Sequence, residues 1–136
     1  MRLLLLLLSI VCFLGCSEHK PTPYEWPLIE GFPKPQVPSD NPMTEEKVAL
    51  GKKIFFDTQL SFNQQQSCAS CHLPERAFSE RLAQSVGSTG ELHRRNSLAL
   101  VNVAYNKTLT WGHDGIVSLE QQILLPMFGE EPIELG

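Results

Sequence analysis

The run Cys68-Ala69-Ser70-Cys71-His72 constrains this chain more than any other feature. Two thiols three positions apart, followed at once by an imidazole, form the C-x-x-C-H pattern of covalent c-type haem attachment. The thiols reach the two vinyl groups of one porphyrin, and the imidazole stands under the iron as an axial ligand. The same residue types also serve redox disulfides and zinc half-sites. A zinc site needs a second pair of ligands, and no second cysteine pair completes one. A thioredoxin-like disulfide needs a βαβ setting, which the patterning does not offer. Haem c is therefore the expected cofactor, with His72 as iron ligand. Covalent haem attachment in bacteria occurs outside the cytoplasm, so the motif also calls for an export signal.

The N-terminus supplies one. Arg2 precedes Leu3 to Leu14, a run that is apolar except for Ser9. A transmembrane helix needs about 20 apolar residues, and this run is shorter, so residues 1–15 read as a signal peptide. Phe13-Leu14-Gly15-Cys16 resembles a bacterial lipobox, in which Cys16 is acylated and tethers the mature chain to a membrane. The alternative is an ordinary cut near Gly15 that leaves Cys16 as a free thiol. Both readings place the mature chain in the periplasm.

Seven of the ten prolines fall between Pro21 and Pro42. They exclude helix interiors and central strands and set a stiff, extended chain. The interleaved Tyr24, Trp26, Leu28, Ile29 and Phe32 suit an arm lying along the globular part; a disordered linker is the other reading. Residues 16–42 are read as tether and arm, and 43–136 as the folded domain. Hydrophobic residues make up 42% of the chain, which argues against global disorder. Yet fewer than a hundred residues remain to bury a core, and so small a domain needs a staple. A covalently attached apolar ring provides one. Acidic residues outnumber basic ones 15 to 11, which argues against nucleic-acid binding.

Within the domain, Thr44 is placed to cap a helix opened by Glu45 and Glu46. Leu50 and Ile54, with Val48 and Phe55, make its apolar stripe. Asp57 to Gln66 is polar and irregular. Ser97 to Tyr105 reads as a short buried helix, with a strand as the alternative. Ser118-Leu119-Glu120-Gln121 is a capping box that opens a helix which Pro126 ends or kinks. No alternating run is long enough for a sheet. The expected fold is all-α with long loops.

With His72 as one axial ligand, the opposite face of the iron decides function. A protein ligand there makes an electron carrier, and an open position makes a peroxidase-like site. The candidates are Met127, 55 residues after His72, then His93, His113 and Met43. Met127 also suits a core position, and His93, beside Arg94 and Arg95, reads as a surface residue.

Several segments together resemble the bacterial di-haem cytochrome c peroxidase and MauG family. They are Leu50-Gly51-Lys52-Lys53-Ile54-Phe55-Phe56-Asp57, Leu60-Ser61, Ser67 to His72, Arg76-Ala77-Phe78, Arg95-Asn96-Ser97, Leu100 to Asn106, Trp111, Leu119 to Gln122 and Pro132-Ile133-Glu134. The resemblance runs from about Tyr24 to Gly136. Gly31-Phe32-Pro33, Asp40 to Thr44 and Leu109-Thr110-Trp111 resemble a subgroup associated with copper-handling methanobactin clusters, some of whose members oxidise a tryptophan of a partner protein.

The resemblance implies a cytochrome c-like haem domain and a role for each matched position. His72 becomes the proximal ligand of the peroxidatic haem. Trp111 relays electrons between two haems. Glu134 becomes the distal acid–base group, with Gln122 and Pro126 lining the pocket, and Asn96 helps bind calcium between domains. A carboxylate beside bound peroxide is chemically apt, because it can carry a proton between the oxygens. Without the resemblance Glu134 reads as a solvated acid near Glu130 and Glu131, Trp111 as a core aromatic and Asn96 as a turn or cap residue. The implied partners are hydrogen peroxide and a cytochrome or cupredoxin electron donor, or a partner protein as substrate. The family has a second domain with a second C-x-x-C-H, whereas this sequence has one, so the match is to the N-terminal haem domain and the expectation is a fragment or a truncated reading frame. Gly112-His113-Asp114-Gly115 also stands where the family has Asp-Gly-Arg. The rival expectation is a mono-haem electron carrier, and a third is a non-catalytic haem-binding lipoprotein subunit.

Overall fold

A computed structural model describes residues 20–111, 115–131 and 133–136. The segment read as a signal peptide, with Cys16, and His113 lie outside the described residues. Among those described, helices and 3-10 turns are the only repetitive elements, and pairing is limited to three isolated bridges. No helix among them is long and apolar enough to cross a membrane.

Helix α1 spans Glu45–Phe56. Thr44 caps it as expected, its hydroxyl accepting from the Lys47 N–H at 3.2 Å, with Glu45 and Glu46 in the first turn and Lys53 in the last. These charges complement the helix dipole. The N-terminal segment is tied to this end. Glu45 N–H donates to the Thr22 carbonyl (2.9 Å), Tyr24 N–H to Met43 (3.1 Å), and the Glu46 carboxylate accepts from Thr22 N–H (3.1 Å). Farther along, Phe32 stacks edge-on against Tyr105, whose hydroxyl donates to the Pro33 carbonyl at 3.0 Å.

The apolar stripe of α1 does not become core. Leu50 is 57% exposed, and no residue of the helix is buried. The helix meets its neighbours through Phe55, whose ring lies 5.8 Å from that of Phe78. Only Leu109 and Leu135 are buried hydrophobics among the described residues, alongside the buried polar residues Thr44, Ser61, Ser67, Ser85, Ser88 and His93. Hydrophobic periodicity marks a face to be covered but does not say by what.

Helix α2, Cys68–Cys71, is a single turn, preceded by the polar stretch 57–66. That stretch, expected to be irregular, holds a 3-10 turn at Thr58–Leu60 capped by the Asp57 side chain, and the rest works as a clasp. Asn63 Nδ2 donates to the Ser88 carbonyl (2.7 Å), and Gln66 Nε2 to the Val86 carbonyl (3.0 Å). Both acceptors belong to a tight hairpin over 85–93, closed by the Gly87 N–H to the Glu91 carbonyl at 2.9 Å.

The expected helix over Ser97–Tyr105 is reduced to a 3-10 turn at Val103–Tyr105. Asn102 just before it adopts a left-handed conformation, φ +57°, which breaks any helix entering from the N-terminal side. Ser118 caps α3, Leu119–Gln122, its hydroxyl accepting from the Gln121 N–H at 3.2 Å, while the Gln121 side chain accepts from the Val117 N–H at 3.3 Å rather than from that of Ser118, so the expected capping box is half formed. The break falls at Ile123 rather than at Pro126, and α4 spans Leu124–Phe128. Pro126 sits in the first turn of α4, where its missing N–H has no intrahelical acceptor to lose.

Candidate functional site

The attachment motif forms α2 and its exit. The Ser67 N–H donates to Ser70 Oγ at 3.0 Å, which satisfies one of the orphan donors at the start of the turn. Cys68 and Cys71 are free and half-buried. Burial raises both thiol pKa values above the ordinary range. The charge of Glu134 adds to the rise at both sulfurs, and that of Glu80 adds at Cys71. Both effects disfavour the thiolate forms.

His72 follows as the cap of the turn, its N–H donating to the Cys68 carbonyl at 2.9 Å. Its ring is fixed by a second bond, because Nδ1 lies 2.8 Å from the Phe78 carbonyl oxygen. That contact makes Nδ1 the protonated nitrogen and leaves Nε2 with its lone pair, the tautomer a metal requires. The carbonyl is aimed by backbone strain. Ala77 and Phe78 are consecutive left-handed residues, φ +56° and +59°, a conformation that costs an L-residue roughly 1–2 kcal/mol. The loop is closed by the Leu73 N–H to the Ser79 carbonyl and the Phe78 N–H to the Leu73 carbonyl, both at 2.9 Å. Strain held in place by surrounding bonds is characteristic of functional geometry.

Glu134 is placed from the other end of the chain. Its carbonyl accepts from the Ser88 N–H at 2.8 Å. Leu135 donates to the Pro126 carbonyl (3.0 Å) and accepts from the Phe62 N–H (2.7 Å) and Ser88 Oγ (3.0 Å). The side chain is 48% exposed, with His93 Nδ1 4.0 Å from Oε1. Pro126 thus meets this segment through its backbone carbonyl. Gln122 is half-buried at the end of α3, and Met127 is half-buried in α4.

Trp111 and Asn96 lie on or against the 95–97 segment. Trp111 is 52% exposed, with the Arg95 guanidinium 4.8 Å over its ring. Asn96 is half-buried between Arg95 and Ser97. The Ser97 N–H donates to the Glu80 carboxylate at 2.6 Å, and the Ser85 hydroxyl donates to the same carboxylate. His93 is not a surface residue. It is 8% exposed, held in the 85–93 hairpin while its arginine neighbours face solvent.

Sequence reasoning missed the Phe78 carbonyl, the Glu80–Ser85–Ser97 cluster and the approach of His93 to Glu134. Only the first had a local signal, the short spacing that lets a loop fold back onto His72.

These residues fit a covalently bound apolar ring. The thiols sit at i and i+3 on one turn, and Nε2 of His72 is available. Leu50, Phe62, Leu124 and Phe128 present exposed apolar surface. Arg76 Nε, four residues past His72, is buried without a protein acceptor and suits a propionate carboxylate. Among the described residues no cluster of three or more His, Cys, Asp or Glu side chains offers a site for a free metal ion. Two attachment thiols and a fixed imidazole, in a domain without strands among the described residues, have the makings of a c-type haem protein.

Comparison with known proteins narrows the class. Residues 45–136 match the family model of di-haem cytochrome c peroxidase, and the chain belongs to that family. It is 44% identical over 98 residues to the cytochrome-c peroxidase IdrP1 of Denitromonas iodatirespirans, covering 72% of this chain and 26% of that protein. It is 37% identical over 108 residues to the methylamine utilization protein MauG of Methylorubrum extorquens, covering 79% and 29%. Its fold is similar to the crystal structure of a MauG-like protein associated with microbial copper homeostasis, with a TM-score of 0.80 and 47% identity over 83% of this chain and 32% of that one. The chain thus spans about a quarter to a third of the length of these relatives. Haem c is the cofactor that the family implies.

Proposed function

We propose that this chain forms the peroxide-reducing haem domain of a periplasmic di-haem peroxidase, tethered to a membrane through an acylated Cys16. The observation that carries the reading is the C-x-x-C-H turn whose imidazole is oriented by the Phe78 carbonyl, in a chain of the di-haem peroxidase family. A half-exposed carboxylate such as that of Glu134 can exchange protons with a small bound oxidant.

Cys68 and Cys71 would hold the porphyrin through thioethers, and His72 Nε2 would ligate the iron. The Phe78 carbonyl keeps Nδ1 protonated and the ring oriented. When bound, haem c supplies the iron at which peroxide receives electrons. Hydrogen peroxide takes up two electrons and two protons and leaves as two waters. Glu134 removes the proton from one peroxide oxygen and returns it to the departing one, while Gln122 and Pro126 border the pocket. Trp111 relays electrons from a cytochrome or cupredoxin donor, or from a partner protein that is itself oxidised. Asn96 contributes to a calcium site. A high-spin ferric spectrum and a fast reaction with hydrogen peroxide are the expected results for the haem-loaded chain. A low-spin spectrum with a sulfur–iron band and no peroxide reaction would instead identify an electron carrier with Met127 as sixth ligand.

A further inference from the structure

The proposed mechanism leaves His93 unused, although it is the one buried histidine among the described residues. Its backbone is fastened on both sides: its N–H donates to the Ser85 carbonyl at 2.9 Å, and its carbonyl accepts from Gln84 Nε2 at 2.9 Å. The ring is buried as well. Nε2 faces Gly87, where a Cβ would stand 3.1 Å away, so a side chain there would crowd the imidazole. The other nitrogen, Nδ1, points to Glu134 Oε1 at 4.0 Å. The two partners therefore differ in freedom. The imidazole is buried on a fastened backbone, while the carboxylate is half-exposed and anchored only through its backbone, by the Ser88 N–H.

We propose that His93 is a positioning residue for Glu134, a fixed donor against which the carboxylate docks by a small side-chain rotation. The distance of 4.0 Å is too long for a hydrogen bond, and contacts of this kind commonly tighten only in the working complex. A carboxylate steadied by one imidazole keeps one oxygen engaged and presents the other, which reduces the rotamer freedom lost during proton transfer. The inference rests on the reading of Glu134 as the proton-carrying group, but the contact itself can be tested apart from that reading.

The test has two arms on the full haem-loaded chain. In the first, ring ¹⁵N resonances of His93 are compared between wild type and Glu134→Gln. A shift at Nδ1 is expected, and unchanged ring signals would overturn the pairing. In the second, the peroxide reaction is timed in His93→Phe, which keeps the ring volume without nitrogens, and in His93→Asn, which keeps a donor near the Nδ1 position. His93→Phe is expected to slow the reaction roughly 10–100-fold, the usual loss for an orienting partner, while His93→Asn retains most of it. A merely structural histidine predicts the reverse order, and that order would overturn the proposal. If Glu134→Gln reacts at the wild-type rate while the Nδ1 shift is seen, the role of Glu134 fails and the pairing stands. If Glu134→Gln is slow and His93→Phe is normal, the positioning role fails alone. The resonance arm needs neither His93 variant to fold.

Discussion

His72 takes its orientation from a carbonyl six residues away in the chain, whereas Glu134 takes its place from Ser88, forty-six residues away. On the His72 side the ring itself is bonded, the loop is short, and two left-handed residues aim the acceptor. On the Glu134 side the backbone is tied at several points and the side chain is half-exposed. A ligand that must hold iron in one geometry gains from a locked ring, while a group that accepts and returns protons needs a fixed base and a mobile tip. Local sequence can build the first. The second depends on the whole domain closing.

That contrast predicts unequal sensitivities. The largest effect is expected at Gly87, which lies under the Glu134 segment. A Cβ there would stand 1.9 Å from the Ile133 carbonyl oxygen, which is backbone and cannot swing aside. Gly87→Ala should cost ~3 kcal/mol or more, read as a fall in melting temperature of about 4–8 °C per kcal/mol. An unchanged melting curve would mean that the C-terminal segment is not seated where the structure has it. Ser70→Ala leaves the Ser67 N–H at the start of the attachment turn without its acceptor and should cost about 1 kcal/mol in chemical denaturation. Ala77→Gly relieves one strained residue beside the His72 loop and should stabilise the chain by ~0.5–1 kcal/mol with His72 ligation unaltered. Destabilisation there would show that the strain is not real.

The smallest effect links the two sides. Burial is the main cause of the raised thiol pKa values, and the Glu134 charge is an added one. Glu134→Gln should therefore lower both thiol pKa values without normalising them, and speed alkylation of the chain before haem attachment. The sign for stability follows from linkage. A thiol whose folded pKa lies above its unfolded value contributes stability below the unfolded pKa, about 8.5. That contribution is lost as pH rises through the folded value. Glu134→Gln should soften this alkaline loss, and identical alkylation rates would place Glu134 away from the thiols.

What the sequence made legible was what short spacing encodes. The C-x-x-C-H turn, the Thr44 cap and the Ser118 cap form as their residues dictate, because each is decided within about four positions. The fate of Leu50 and Ile54 was not legible, since amphipathicity names a face and not its cover. The helix expected over Ser97–Tyr105 failed at Asn102, where a left-handed residue overrides an apolar pattern. The place of His93 was hidden by its charged neighbours Arg94 and Arg95, which are exposed while His93 is buried against Gly87. Glu134 could be singled out only by resemblance, since its seat is made by Ser88, Pro126 and Phe62, all distant in sequence.

The central claim is that Glu134 moves the protons of peroxide reduction opposite a haem ligated by His72. The direct measurement is the rate at which the haem-loaded ferric chain reacts with hydrogen peroxide, in wild type and in Glu134→Gln, at matched haem content. The account predicts a loss of about 10²–10⁴-fold, the usual scale for removing a general acid–base group, with the ferric spectrum unchanged. An equal rate in the two proteins would contradict it.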